Sequence, residues 1–252
     1  MKKLTIIFLC TISTLLSSCF SIGGLIDPSV PDSHYVEYAK NFYYVGKIYG
    51  LNINNKDYFG SCVAITDNVV LTAAHIVQEM KTAKVLINNR QINVIKSIAH
   101  QDFRIDKLGH NDIAICFLEE NIGLEWYPSL YTNKNEINKL CCLSGYGAYG
   151  TFFSGPTKTD NQRRAGSNYI DYTELGVLIC TPSTDNTKTA LEFLICPGDS
   201  GGGLFIDNKL AGIHSYVITF KPSKKQESAH TRISDHVEWI EKHKKLIIQE
   251  GK

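Results

Sequence analysis

The chain carries almost no net charge: 26 Lys and Arg against 25 Asp and Glu leave +1 over 252 residues, with an isoelectric point near 7.6. So weak a field offers nothing to nucleic acid or to a strongly acidic partner. No Cys-x-x-Cys and no Cys/His cluster at zinc spacing occurs, so no metal and no cofactor is expected. Internal repeats are lacking. The apolar stretch Leu4 to Leu16 is too short to span a bilayer comfortably.

That stretch follows Lys2 and Lys3 and ends in Leu16-Ser17-Ser18-Cys19. A basic start, a short apolar run and small residues together mark residues 1–18 as a signal peptide, excluded from the folded body. Cys19 resembles the acylated cysteine of the bacterial lipobox. The resemblance implies an exported lipoprotein of the bacterial cell envelope, in the outer membrane or periplasm, held to the membrane through an N-terminal lipid anchor. An ordinary secretory signal cut near Ser18 or Ser21 is the alternative.

Hydrophobic residues make up 43% and charged residues 20% of the chain, a globular composition. Residues 19–41 mix Gly, Pro, Ser and charges without a regular apolar period, and read as a tether or surface strap. From Phe42 onward short apolar or alternating runs recur, among them Lys84 to Ile87, Asp112 to Leu118, Gly203 to Ile206 and Leu210 to Ser215. Their β-branched content and spacing predict an all-β sandwich or barrel. Asp207-Asn208 is a tight-hairpin candidate, since both residues tolerate positive φ. One helix is signalled near the end, with Ser234 as its cap, Ile233, Val237 and Ile240 at helical spacing, and Lys242, Lys244 and Lys245 in its last turns.

Three stretches carry chemistry. Gly198-Asp199-Ser200-Gly201-Gly202 holds a serine in a turn of small residues, where successive backbone N–H groups can point at one oxyanion. Thr72-Ala73-Ala74-His75 ends an apolar strand at a histidine, the side chain whose ordinary pKa suits general-base work near neutrality. Asn111-Asp112-Ile113-Ala114 places an aspartate at the start of a hydrophobic strand. Each has a bland alternative: a glycine-rich hairpin, a structural histidine, a strand-start cap.

Together and in the order His, Asp, Ser, these stretches resemble the chymotrypsin-like serine proteases; subtilisins and α/β-hydrolases order the same groups differently. The resemblance runs from about Tyr44 to the C-terminal helix. It implies two six-stranded antiparallel β-barrels with a C-terminal α-helix: residues 42–127 carrying His75 and Asp112, and residues 128–252 carrying Ser200. It also implies a serine endopeptidase acting on protein or peptide substrates, with His75 as base, Asp112 as its orienting acid, Ser200 as nucleophile, and Gly198 and Ser200 as oxyanion donors. Around the substrate it places Leu194, His214, Ser215, Tyr216, Val217 and Ser228. A second possibility is a catalytically silent homologue serving as a binding module.

Several features depart from the pattern. Leu194 stands where trypsin-like members keep an aspartate, so cleavage after Lys or Arg is not expected. His214 matches a position where glutamate-specific bacterial relatives keep a histidine; packing behind the triad is the alternative. The cysteines beyond the signal are Cys62, Cys116, Cys141, Cys142, Cys180 and Cys196. Six cysteines allow 15 pairings, among which the sequence does not choose; set against the family pattern, Cys196 and Cys141 both lack their usual mates, and Cys180 is the preferred alternative partner of Cys196. No activation-cleavage motif is visible, so Asp199 is expected to find an internal donor instead of a freed N-terminal amine.

Overall fold

The computed structural model describes residues 25–106, 109–152, 154–183, 185–220 and 225–245. The expected signal segment and Cys19 lie outside the described residues. A two-residue strand β1 (Leu25–Ile26) is followed by helix α1 (Asp32–Tyr38) and a 3-10 turn at Ala39–Phe42. The part of the expected tether that is described is therefore a packed strap.

The first barrel comprises β2 (Val45–Leu51), β3 (Asp57–Thr66), β4 (Val69–Thr72), helix α2 (Ala74–Glu79), β5 (Lys84–Ile87), β6 (Arg90–Ala99) and β7 (Ala114–Leu118). It closes in the order β2-β3-β4-β7-β6-β5. Both β4 and β7 are buried along their whole length. Covered on two sides, they read as continuous apolar runs and not as alternation. The β5–β6 hairpin turns on Asn88 and Asn89, at φ 51 and 57, where asparagine tolerates the left-handed region.

The second half holds β8 (Leu140–Gly145), β9 (Tyr149–Thr151), β10 (Gly155–Lys158), β11 (Arg164–Tyr169), β12 (Tyr172–Glu174), β13 (Val177–Cys180), β14 (Phe193–Leu194), β15 (Gly203–Ile206), β16 (Lys209–Phe220) and β17 (Lys225–Arg232). Seven of these form a curled half-barrel in the order β11-β8-β15-β16-β17-β13-β12. The molecule thus has the expected two barrel-like sheets, but the second is seven-stranded and open. Its extra edge, β12, hairpins onto β13 through Leu175 and Gly176, both at positive φ. A further sheet, β10-β9-β1-β14, joins the strap to this half. The β15–β16 hairpin turns on Asp207-Asn208 at φ 49 and 60, as the sequence predicts.

The terminal helix α3 (Val237–Lys244) follows a 3-10 turn at Ile233–Asp235. Ile233 and Ile240 enter the cluster that fills the first barrel. Ser234 does not cap the helix, which starts from His236 with no side-chain cap. Its hydroxyl instead donates to Glu136 Oε1 at 2.9 Å, because the fully buried Glu136 carboxylate gathers Ser234 and Arg232 as partners.

All six described cysteines are free thiols. The expected Cys180–Cys196 bridge is not formed. Cys180 lies in the half-barrel interior beside Cys141, with the two Sγ atoms 3.8 Å apart, whereas Cys196 stands outside that apolar cluster.

Candidate active site

His75 sits in the first turn of α2, directly after β4. Ala73 and Ala74 are fully buried, and their small side chains let the chain turn tightly from strand to helix. Asn111 at φ 55 supplies the bend that leads into β7 and delivers Asp112 beneath His75. Asp112 Oδ2 lies 2.7 Å from His75 Nδ1, and Oδ1 accepts the His75 backbone N–H at 2.9 Å. Two contacts from one residue fix both the ring and its backbone. With a carboxylate facing Nδ1, the proton belongs on Nδ1 and the lone pair on Nε2. Burial works to raise the Asp112 pKa, but the hydrogen bond and charge of His75 and the hydroxyl of Ser215 outweigh it and hold the carboxyl below its ordinary value.

Ser215 ties this pair to the nucleophile. A register shift between His214 and Tyr216 takes Ser215 out of the β16–β17 ladder, freeing its groups. Its hydroxyl donates to Asp112 Oδ2 at 2.5 Å, and its carbonyl accepts the Ser200 hydroxyl at 3.2 Å. Side-chain hydrogen bonds thus link His75, Asp112 and Ser215, and the Ser200 hydroxyl joins them only at the Ser215 carbonyl; among the described residues no hydrogen bond runs from Ser200 to His75.

The turn around Ser200 is locked from three directions. Asp199 N–H donates to Cys196 O, Gly201 N–H to His214 O, and Gly202 N–H to Asp199 O. The amides of Gly198 and Ser200 take no acceptor among the described residues. Alternate amides are thus committed and the two expected oxyanion donors are left over. Gly198 at φ 94 and Gly201 at φ 87 lie in the left-handed region; a Cβ on Gly201 would meet Thr72 Oγ1 at 2.1 Å. From the first barrel, Ser61 donates its hydroxyl to Gly198 O (2.8 Å), accepts Tyr146 N–H (2.9 Å), and gives its own N–H to Ser200 O (2.8 Å).

Asp199 is buried beneath the turn, and each of its oxygens has a backbone donor: Gly147 N–H to Oδ1 and Cys196 N–H to Oδ2, both at 2.7 Å. A Cβ on Gly145 or Gly147 would strike this carboxyl at 2.3 or 2.6 Å, which explains the Gly-Tyr-Gly spacing. Burial pushes the Asp199 pKa up to about 7, against the pull of those two N–H groups and of Arg164.

The remaining expected site residues divide. Tyr216 is half-buried against Val177, Ile179 and Ala229, and Val217 stands opposite Ser228 in the β16–β17 ladder. Leu194 is buried in the half-barrel interior, paired with Leu25 of β1. His214 is fully buried, its Nδ1 2.8 Å from Nδ1 of His230, whose Nε2 meets Ser228 Oγ at 3.0 Å. Burial drives both imidazoles well below their ordinary pKa, so the pair is neutral. His214 Nε2 is buried without a hydrogen-bond partner among the described residues. Sequence reasoning missed the roles of Ser61 and His230. The Ser61 hydroxyl reaches the distant backbone of Gly198 and Tyr146, which no local pattern announces, and His230 is a lone histidine in a polar strand.

Two barrel-like sheets meeting at a serine turn, with a His–Asp pair opposite and a buried carboxylate locking the turn, define a two-barrel serine hydrolase. The Trypsin family description matches residues 39–240, and the chain belongs to that family as a chymotrypsin-like serine endopeptidase. It is 30% identical to chymotrypsin of Phaedon cochleariae over 198 residues, covering 71% of this chain and 70% of that one. It is 27% identical to human kallikrein-8 over 210 residues, 75% and 77% of the two chains. The fold is similar to a structure described as neuropsin, a serine protease expressed in the limbic system of mouse brain. That match has a TM-score of 0.64 at 20% identity, over 80% of this chain and 94% of the other.

Proposed function

We propose that this endopeptidase works through a Ser200–His75–Asp112 relay and an acyl-enzyme. Carrying the proposal is the His75–Asp112 pair at 2.7 Å, joined through Ser215 to the Ser200 hydroxyl. His75 Nε2 takes the Ser200 proton as Oγ attacks the scissile carbonyl and later returns it to the leaving amine. Asp112 holds the Nδ1–H tautomer and stabilises the imidazolium. The Gly198 and Ser200 amides receive the oxyanion, and water then resolves the ester by the same proton path.

Asp199 already has a donor on each oxygen, which supports activity without cleavage of the chain. The lack of a carboxylate at Leu194 speaks against cleavage after Lys or Arg; the leucine itself is packed in the half-barrel interior. The test is hydrolysis of a chromogenic peptide panel by the wild type and by Ser200→Ala and His75→Ala variants of matched thermal midpoint. Hydrolysis lost in both variants supports the relay; turnover surviving in Ser200→Ala refutes it. Preference for Glu over Phe and Leu would point to the His214–His230 pair, and preference for Phe or Leu over Glu would overturn an acidic specificity.

Export and acylation at Cys19 rest on the signal-like residues 1–18. Radiolabelled palmitate incorporated by the wild type and not by Cys19→Ala supports the anchor; equal labelling, or none in either, overturns it.

A further inference from the structure

The sheet that joins the strap to the second half lies at the root of the nucleophile turn. β1 is inserted between two short strands. It runs antiparallel to β14, with Leu25 opposite Leu194 and Ile26 opposite Phe193, and parallel to β9, with Leu25 opposite Gly150 and Ile26 opposite Thr151. β14 leads straight into Ile195–Ser200. β9 follows Gly147, whose N–H holds Asp199, and Ala148, whose N–H donates to Pro197 O at 2.9 Å. Strands of two and three residues cannot hold their positions alone. β1 lies between them and pairs with both, while β9 also pairs with β10 and Phe193 O of β14 accepts from Asn168 of β11.

The strap is fastened where it would have to be to do this. Tyr35 of α1 is fully buried; its hydroxyl accepts Asp27 N–H and donates to Glu192 O, one residue before β14. Its ring packs against Phe193 at 6.1 Å between centroids. Asp27 pairs with Lys188 at 2.5 Å. Asp32 makes a two-pronged contact, at 2.7 and 2.8 Å, with the buried Arg164, which also pairs with Asp160 and stacks on Tyr149 of β9 at 3.5 Å. The strap thus reaches residues 150–152, 164, 188 and 192–194, and every one of these contacts is to the second half of the molecule.

We propose that residues 25–38 form a positioning strap for the nucleophile turn: β1 holds β9 and β14 at the spacing that keeps Gly147 on Asp199 and the Gly198 and Ser200 amides in line. This rests on the protease reading above. Leu25 and Ile26 are positioning residues, acting through β9 and β14 and touching no substrate. The strap lies ahead of the segment matched to the family, which starts at residue 39.

The test uses the full chain with Leu25→Asp, which sets a carboxylate against Leu194, with Asp32→Asn, which loosens Arg164 without touching β1, and with Leu25→Ile as the conservative control. Three readouts are taken below the thermal midpoints: kcat and KM on a peptide substrate, the rate of acylation by a fluorophosphonate, and amide hydrogen exchange by mass spectrometry. The expected result for Leu25→Asp is a fall in kcat and acylation rate of about 30-fold or more, with KM changed less than about threefold, since a small displacement of oxyanion donors costs on this scale. Exchange should rise at least about tenfold in residues 145–152 and 193–199 and stay unchanged in residues 57–72 of the first barrel. Asp32→Asn should move the same readouts to a smaller extent, and Leu25→Ile should match the wild type. Wild-type kcat and exchange in Leu25→Asp overturn the proposal, as does a loss of protection spread evenly over both halves. If the wild type itself neither hydrolyses nor labels, the protease reading fails, and the local exchange pattern still decides for or against the strap.

Discussion

Replacing Asp199 by Asn should separate stability from activity, and the structure sets the size of the effect. The buried carboxyl has its pKa raised from 3.8 to about 7, a gap of roughly 3 pH units. At about 1.4 kcal/mol per unit, this is about 4 kcal/mol of linked folding free energy. The folded value lies above the unfolded one, so the folded chain keeps a proton that the unfolded chain releases. The contribution is present in full below pH 4 and is lost as the pH climbs through 7. Asn is the neutral isostere of the protonated acid and does not titrate. At pH 4 the Asp199→Asn variant should match the wild type, and at pH 8 it should be the more stable by up to about 4 kcal/mol. Catalysis should move the other way. The amide can accept from only one of Gly147 and Cys196 and turns an N–H toward the other, so the turn loses one of its two anchors. A fall in kcat of about 10- to 100-fold at pH 8 is expected. The assay is urea unfolding from pH 4 to pH 8 alongside kcat on a peptide substrate. A stability difference that does not change with pH, or a variant with wild-type kcat, refutes the reasoning.

Further outcomes follow from single contacts. Asp112→Asn turns a donor toward His75 Nδ1 and should lower kcat by about 10⁴ while leaving the thermal midpoint nearly unchanged; a loss under about tenfold in steady-state assays would contradict the tautomer assignment. Ser215→Ala removes the 2.5 Å hydroxyl from Asp112 and should cost about tenfold in kcat with little change in KM, a split read from Michaelis curves. Mild oxidation with an oxidised dithiol should close Cys141 onto Cys180, whose sulfurs are 3.8 Å apart, seen as a loss of two hydrogens on a disulfide-linked peptide pair; a Cys180–Cys196 peptide would contradict the observed packing. Ile240→Ala empties a fully buried site beneath α3 and should destabilise by about 2–4 kcal/mol in urea unfolding, with kcat unaffected at low temperature.

The residues of the proposed relay were legible as candidates because they sit on elements the sequence declares. The Val-Val-Leu-Thr of β4 delivers Ala-Ala-His75, the apolar β7 begins two residues after Asp112, and glycines bracket Ser200. Tight hairpins were legible where asparagine and aspartate pairs take positive φ, as at Asp207-Asn208. The missed elements have a physical signature too. β17 reads Lys-Gln-Glu-Ser-Ala-His-Thr-Arg, polar enough for a loop, yet Gln226, Glu227, Ser228, His230 and Thr231 are all buried there, because long-range packing overrides local polarity. β1 and β14 are too short for any alternation to register. Seven residues of α1 between Pro31 and the 3-10 turn carry only one buried side chain, Tyr35, so no helical stripe stands out. The open half-barrel depends on which edges fail to meet, a property of the whole sheet that no segment carries alone.

The most direct measurement of the relay is the mass of the chain after exposure to a fluorophosphonate, followed by peptide mapping. One adduct per chain, on Ser200, lost in Ser200→Ala and slowed at least about 1,000-fold in His75→Ala, is the outcome the proposed relay predicts. No adduct on a folded chain, or an adduct on another residue, would contradict it.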